Sequence, residues 1–395
     1  MTKKLVYIFL SVFIIISVHA QDGGADESQK KISLEGYISN MQSVMFDSLK
    51  GNWISDNLIH NRLNFSWFPS SALTFSLQVR NRFIWGESVQ LDPGYGKQVE
   101  NDNGYLQLSK NLLSERSFIF NSSIDRVYLE YSNGSLDMKL GRQRINWGQT
   151  MVWNPNDIFN NYSFFDFDYV ERPGSDAIRI QYYPSSSSTV EFAGKVNHQK
   201  KLTAAALYRF NKWGYDIQFI GGLLNETDFV IGAGWSGAIE DVSFRGELSY
   251  FHPKKNLPDD RELFMSSISF DYSFQNSSSI LVEGLYGSLP ENSSSGFLEV
   301  YNAPATVKNL SFTKYNLLGQ YTYLITPLLS LSFSAMVMPG IDGYYAGPTL
   351  SYSLKDNLDL SFIAQAFSGN FPDSITGIDQ RLNLYLGFIR LKANF

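Results

Sequence analysis

Between Gly141 and Gly174 the chain reads GRQRINWGQTMVWNPNDIFNNYSFFDFDYVERPG. Arg142 and Arg144 enter this stretch. Asp157, Asp166, Asp168 and Glu171 follow, set among Trp147, Trp153, Phe159, Phe164, Phe165, Phe167 and Tyr169. Guanidinium and carboxylate groups held on opposite sides of a wet opening sort solutes by size and sign. Bond-breaking chemistry has far less support. Beyond the first twenty residues the histidines are His60, His198 and His252, and none lies in a nucleophile–base motif. No His, Cys or carboxylate cluster has metal-ligand spacing, and Asp166-x-Asp168 is too short to be a calcium loop. No catalytic residue, metal or cofactor is expected.

The elements that must hold this stretch are strands. From Ile32 onward, alternating segments of about ten residues recur, the length and period of a strand crossing a bilayer at a tilt. Leu73, Phe75, Leu77 and Val79 share one side of the clearest segment, with Phe83 and Trp85 at its rim; Thr74, Ser76, Gln78, Arg80 and Arg82 share the other. Eighteen such segments are predicted, starting at Ile32, Asn57, Ala72, Ser123, Gly134, Ser175, Thr189, Lys201, Tyr215, Thr227, Asp241, Leu263, Ser278, Lys314, Leu328, Gly343, Asn357 and Arg381. Short connections rich in Pro, Gly, Asn and Ser alternate with longer ones. The long ones, roughly 86–122, 146–174, 251–262, 288–313 and 368–380, all fall in the same alternate set. A closed barrel with tight turns at one end and loops at the other has this asymmetry. A propeller would show repeats of about 40–50 residues, and a sandwich would carry loops of similar size at both ends.

Composition agrees. The chain has 30 Phe, 23 Tyr and 7 Trp, yet its mean hydropathy is −0.17. Half of each strand facing lipid and half facing water gives that average. Lys3 and Lys4, the apolar run Leu5–Val18 and Val18-His19-Ala20 read as a secretory signal peptide over residues 1–20. The run is too short for a spanning helix. Residues 21–31 read as a polar leader, and 32–395 as a single transmembrane β-barrel domain. Losing two lysines takes the net charge from −6 to −8, which argues against a nucleic-acid partner. The chain has no cysteine, hence no disulfide and no thiol chemistry.

Strand parity sorts the polar residues. His60, Arg62, Asn64, Arg80, Arg82, Arg126, Glu130, Asp137, Lys139, Arg179 and Gln181 fall on the inward side. Arginine on the lipid face costs about 2–4 kcal/mol at mid-depth, which favours this assignment. Arg142 and Arg144 share parity with Leu136, Met138 and Leu140, the lipid side. A β-bulge at Gly141 would turn both inward; the alternative places them above the apolar band. Arg62, Arg80, Arg82, Arg126, Lys139, Arg142, Arg144 and Arg179 are thus the basic pore-lining candidates. So many aromatics in an external loop imply that residues 146–174 fold inward as a constriction. A lid over the rim, or contact with lipopolysaccharide, would also cover the rings.

Gly141-Arg142-Gln143, Trp147-Gly148 and Asn154-Pro155-x-Asp157-x-Phe159 resemble a signature of porin-like outer-membrane families, including barrels similar to the alginate-export channel. That resemblance implies an eighteen-stranded barrel with an arginine-rich pore passing anionic sugar. The four loop acids depart from it. The last segment, RLNLYLGFIRLKANF, resembles the terminal strand signal read by the barrel assembly machinery, with Phe395 at its end.

The expectation is an exported outer-membrane porin, embedded in lipid and lipopolysaccharide, passing small hydrophilic and anionic solutes by diffusion. Its oligomeric state is open. The alternative is a surface-binding or envelope-polymer assembly barrel with a closed lumen.

Overall fold

Tight turns and alternating faces set the architecture. The computed structural model describes residues 31–159, 171–255, 261–288, 306–311, 313–372 and 378–395. Its strands are β1 (Ile32–Phe46), β2 (Ile54–Ser70), β3 (Leu73–Gly86), β4 (Ser109–Ser114), β5 (Phe118–Asn133), β6 (Leu136–Gln143), β7 (Ser175–Ser185), β8 (Ser188–Val196), β9 (Leu202–Lys212) and β10 (Tyr215–Leu224). They continue with β11 (Asp228–Ile239), β12 (Val242–Pro253), β13 (Leu263–Ser273), β14 (Ser279–Gly287), β15 (Tyr315–Thr326), β16 (Leu329–Met338), β17 (Gly343–Lys355), β18 (Leu358–Pro372) and β19 (Asp379–Asn394). Each barrel strand pairs antiparallel with its neighbours, and β1 closes the ring on β19 from Tyr37↔Asn394 to Phe46↔Tyr385. The backbone of Phe395 adds two more bonds to Gly36, and its ring lies where a Gly36 side chain would sit. Eighteen strands therefore make the wall, as the sequence pattern predicts, and pairing of β1 with β19 closes the ring.

β4 is the extra strand. β6 has only eight residues and leaves β5 after Arg142↔Val127. Above that point β4 takes over the same edge of β5, from Ser109↔Ser123 to Ser114↔Ile119. β4 thus extends the sheet beside β5 where the chain after β6 departs, and a single bridge, Gly104↔Asn197, links the segment before it to the chain after β8. The β3–β5 connection also holds two short helices, α1 (Glu87–Leu91) and α2 (Tyr95–Glu100), which the sequence pattern does not announce. Val89, Tyr95 and Val99 pack on inward-facing Leu58, Ile84 and Ile119, so this connection folds into the mouth. β5 starts five residues earlier than predicted for the same reason: Phe118–Ser122 pair with β3 while their inward side lies under that cover.

Inward and outward faces alternate as expected. Leu140, Ile178, Phe192, Phe219, Ile231, Phe270, Leu317, Phe333 and Ile389 are exposed on the outside. The opposite parity carries the buried Glu191, Gln218, Glu247, Ser267 and Glu283.

Candidate pore constriction

The inward turn starts at Gly141. Its φ of +120° is a conformation that side chains rarely adopt, and a Cβ would meet the carbonyl oxygen of Val127 at 2.3 Å. The ladder nevertheless runs through Gly141 without a register shift, paired to Tyr128 on one side and Ala177 on the other. The bulge lies on β5 instead: Gln78 pairs Arg126 and Val79 pairs Ile124, leaving Asp125 as the extra residue. The bulge turns both Asp125 and Arg126 away from lipid, and both are buried.

Arg142 is therefore not turned round by a bulge at Gly141. It is clamped at the top of β6. Its Nε and Nη2 donate to Asp176 at 2.6 and 2.9 Å, its Nη1 to Asp102 at 2.7 Å, and its Nη2 also to the Leu106 carbonyl at 2.7 Å. The residue ties β7 to the segment that leads into β4, a structural latch instead of a free pore cation. Gln143 folds back to donate to the Lys139 and Ala177 carbonyls. From Arg144 the chain leaves the wall.

Residues 145–159 then spread over the inner wall from β8 to β14. Trp147 donates its indole N–H to Glu191 at 2.8 Å, and Gln218 donates to the Trp147 carbonyl at 2.7 Å. Glu247 on β12 accepts the backbone N–H groups of Gln149, Thr150 and Asn156, the last two at 2.8 Å each. Glu283 on β14 accepts those of Met151 at 3.0 Å, Val152 at 3.1 Å and Trp153 at 2.6 Å. Successive N–H groups wrapped round a carboxylate form an anion nest, here filled by the wall itself. Hydrogen bonds to a charged group contribute about 1.5–3 kcal/mol each, so two filled nests outweigh the entropy of ordering a few loop residues.

Apolar packing completes the seat. Ile145, Trp147, Val152, Trp153, Ile158 and Phe159 join one buried cluster with Ala177, Ala193, Ala205, Leu207, Ile220 and Phe251 of the wall. The three alanines, inward on β7, β8 and β9, leave the room that the loop's rings take up. Trp147 and Phe159 meet edge to face at 4.9 Å and 80°. Lys195 donates to the Phe159 carbonyl and lies 5.9 Å from its ring. Asp157 is buried near the Lys195 ammonium.

The far end of the stretch reaches the opposite wall. Arg126 Nη2 donates to the carbonyls of Glu171 and Arg172 at 2.8 and 2.7 Å. The Glu171 carboxylate stands 4.0 Å from Arg62. Arg62, 1% exposed, pairs with Asp125 at 2.5 Å and donates to Gln78 and Asn64; Arg80 stands 3.3 Å from Asp125. Arg82 donates to the Val99 carbonyl and to Asn121 under the α2 cover. Lys139 pairs with Glu130 at 3.0 Å, and Arg179 is bidentate on Glu191 at 2.7 and 2.9 Å. Arg144 makes no ion pair among the described residues. Asp166, Asp168, Phe164, Phe165, Phe167 and Tyr169 lie outside the described residues.

The residues that hold the loop most firmly, Glu191, Glu247, Glu283 and Gln218, were not singled out by sequence reading. A signal existed. SFRGELSYF and ILVEGLYG each place one glutamate at inward parity between apolar outward residues.

No protein-family model and no curated protein sequence matches this chain. Solved structures do match, and they show the fold: an eighteen-stranded antiparallel barrel resembling Gram-negative outer-membrane porins. OccAB2 of Acinetobacter baumannii superposes with a TM-score of 0.58 at 11% identity, over 95% of this chain and 100% of that one. A BenF-like porin from Pseudomonas fluorescens gives 0.57 at 12% identity, over 93% and 99%. OccK11 of Pseudomonas aeruginosa gives 0.58 at 10% identity, over 92% and 96%.

Proposed function

We propose that this chain is an outer-membrane porin that passes small hydrophilic solutes by diffusion, with residues 146–174 as its constriction. The observation that carries the reading is the two-sided anchoring of that stretch, on Glu247 and Glu283 and on Arg126. A loop fixed at both ends narrows a lumen to one defined gap and selects by size. The fold class shared with named porins supports it. Arg62, Arg80, Arg82 and Arg126 outnumber Asp125 and Glu171 on their side, which supports a preference for anions. The chemistry needed is electrostatic alone, with no bond made or broken, so the protein is read as a channel and not an enzyme. Residues 1–20 are read as a cleaved export signal and 21–31 as a leader. Lipid and lipopolysaccharide surround the wall, and the strand ending at Phe395 is read by the assembly machinery.

One observation favours a second reading, a closed barrel that binds an envelope polymer: α1, α2 and the inward stretch both occupy the mouth. Planar bilayers separate the two. Unitary current steps of fixed size support the porin, and a silent barrel supports the binder. In the conducting case, Arg80→Glu with Arg126→Glu shifts the reversal potential toward cations.

A further inference from the structure

Most inward carboxylates of the wall meet a cation. Asp125 meets Arg62 and Arg80, Glu130 meets Lys139, Asp176 meets Arg142 and Glu191 meets Arg179. Glu247 and Glu283 are held differently. Both are 0% exposed, and the main-chain N–H groups of residues 149–153 and 156 converge on them. Their cross-strand neighbours carry no charge: Gly234 and Ser267 beside Glu247, Ser269 and Leu318 beside Glu283. The charged groups on the surrounding elements are engaged with one another or with neutral partners. Arg245 of β12 pairs with Asp271 of β13 at 2.8 Å, and Lys308 pairs with Asp228 of β11 at 3.1 Å. Arg209 of β9 donates to Gln218 of β10 at 2.7 Å. In the loop itself, Asp157 lies near Lys195, which donates to the Phe159 carbonyl.

A nest of this kind depends on one proton. An ionised carboxylate only accepts, which suits a ring of N–H donors. A protonated one turns an O–H toward those same donors and keeps less acceptor capacity. The bonds that remain lose their charge assistance and become about half as strong. The freed N–H groups then do better in water than on the wall. Water is close at hand, because Met151, between the two nests, is 51% exposed. The loop is therefore seated while both carboxylates are charged and unseated as falling pH protonates them.

We infer that Glu247 and Glu283 form a proton-operated gate: acid in the external medium lets residues 149–156 leave the wall and widens the constriction. Both anchors act on one short span, so release at either carboxylate loads the other. The span also stays tethered. Trp147 hangs on a separate carboxylate, Glu191, and the far end of the stretch is held by Arg126 through the Glu171 and Arg172 carbonyls, where no proton is gained or lost. Return to neutral pH therefore reseats the loop. The effect on flow rests on the porin reading; the loop movement does not.

The absence of cysteine makes the test direct. A nitroxide on Met151→Cys, then the only thiol in the chain, reports loop mobility in lipid vesicles whether or not the barrel conducts. The mobile fraction of its spectrum should at least double between neutral pH and about pH 4, near the ordinary glutamate range, and fall back on neutralisation. With Glu247→Gln and Glu283→Gln added, the neutral-pH spectrum should already match the parent's acid one and change little with pH. In planar bilayers the size cutoff for neutral polymers, which ignores the charge of the lumen, should widen over the same pH range in the parent alone. A parent spectrum that stays fixed down to about pH 4 would overturn the gate, as would a double glutamine variant that keeps the full pH response. A barrel that never conducts but whose label still loosens in acid would remove the porin reading and uphold the gate.

Discussion

Glu283 and Arg126 stand on opposite points of the ring, nine strands apart in either direction, and both hold the same loop. Glu283 takes the backbone amides of Met151, Val152 and Trp153; Arg126 takes the carbonyls of Glu171 and Arg172. The wall thus meets backbone with opposite chemistry at the two ends. Anchoring of this kind fixes the path of the loop through its main chain.

That arrangement predicts what releasing one end does. Glu247→Ala with Glu283→Ala removes both nests and strands six backbone donors, four of them buried. The loop should leave the inner wall. Unitary conductance should rise by roughly half or more, with larger fluctuations, since a fixed constriction becomes a mobile one. Glu→Gln at the same positions keeps an acceptor oxygen and should give a smaller change. Unchanged conductance in the double alanine variant would place the narrowest gap elsewhere.

Arg62 and Asp125 make the second prediction. Both are nearly inaccessible, and Arg80 and Asn64 complete the network. Removing one partner of a buried ion pair leaves an uncompensated charge and costs about 3–5 kcal/mol. Asp125→Ala should therefore lower the heat-modifiability midpoint of the barrel more than Asp137→Ala, whose carboxylate accepts from the Tyr183 hydroxyl near the turn end. Equal shifts would mean that the Asp125 bulge is solvated.

How much of this could be read in advance follows from what a strand pattern encodes. Alternation and turn chemistry are local, so the eighteen barrel strands and the inward parity of Arg62, Arg80 and Arg126 were legible. The Asp125 bulge was not, because one inserted residue among polar neighbours leaves the pattern readable on both sides of it. Gly141 is the residue whose type suggests a bulge, and its φ is positive, but the ladder passes through it. The glutamate nests were also hidden. Glu247 and Gln149 are 98 residues apart, and only closure of the ring brings them together. β4 was missed for the same kind of reason. Six residues in a long connection look like a strand only when a short neighbour leaves an edge to fill.

Arg142 gives the third prediction. Its guanidinium holds two carboxylates and a carbonyl, a planar fork that lysine cannot copy. Arg142→Lys should loosen the segment 101–108 from β7 while leaving the barrel closed. Proteolysis of intact cells checks this. Cleavage should appear in 101–108 for Arg142→Lys and stay absent for Lys139→Arg, whose partner Glu130 lies on the neighbouring strand.

Gly232 and Gly234 give the last. Both sit at inward positions of β11, where glycine weakens a strand unless something must come close. What comes close is Asn156. A Cβ on Gly232 would stand 2.5 Å from its Oδ1, and one on Gly234 would stand 3.0 Å from its Nδ2, which donates to the Ala233 carbonyl at 2.9 Å. The Gly232 Cβ would also meet Ile220 at 2.8 Å and the Leu248 carbonyl at 2.9 Å, so the side chain has no easy way to give. Gly232→Val should push Asn156 off the wall and pull its backbone N–H from Glu247. The variant should then resemble the Glu247→Ala channel in conductance although its carboxylate is intact. Combining the two should add little, since both break the same seat. Additive increases in conductance would show instead that Gly232 acts on the wall alone.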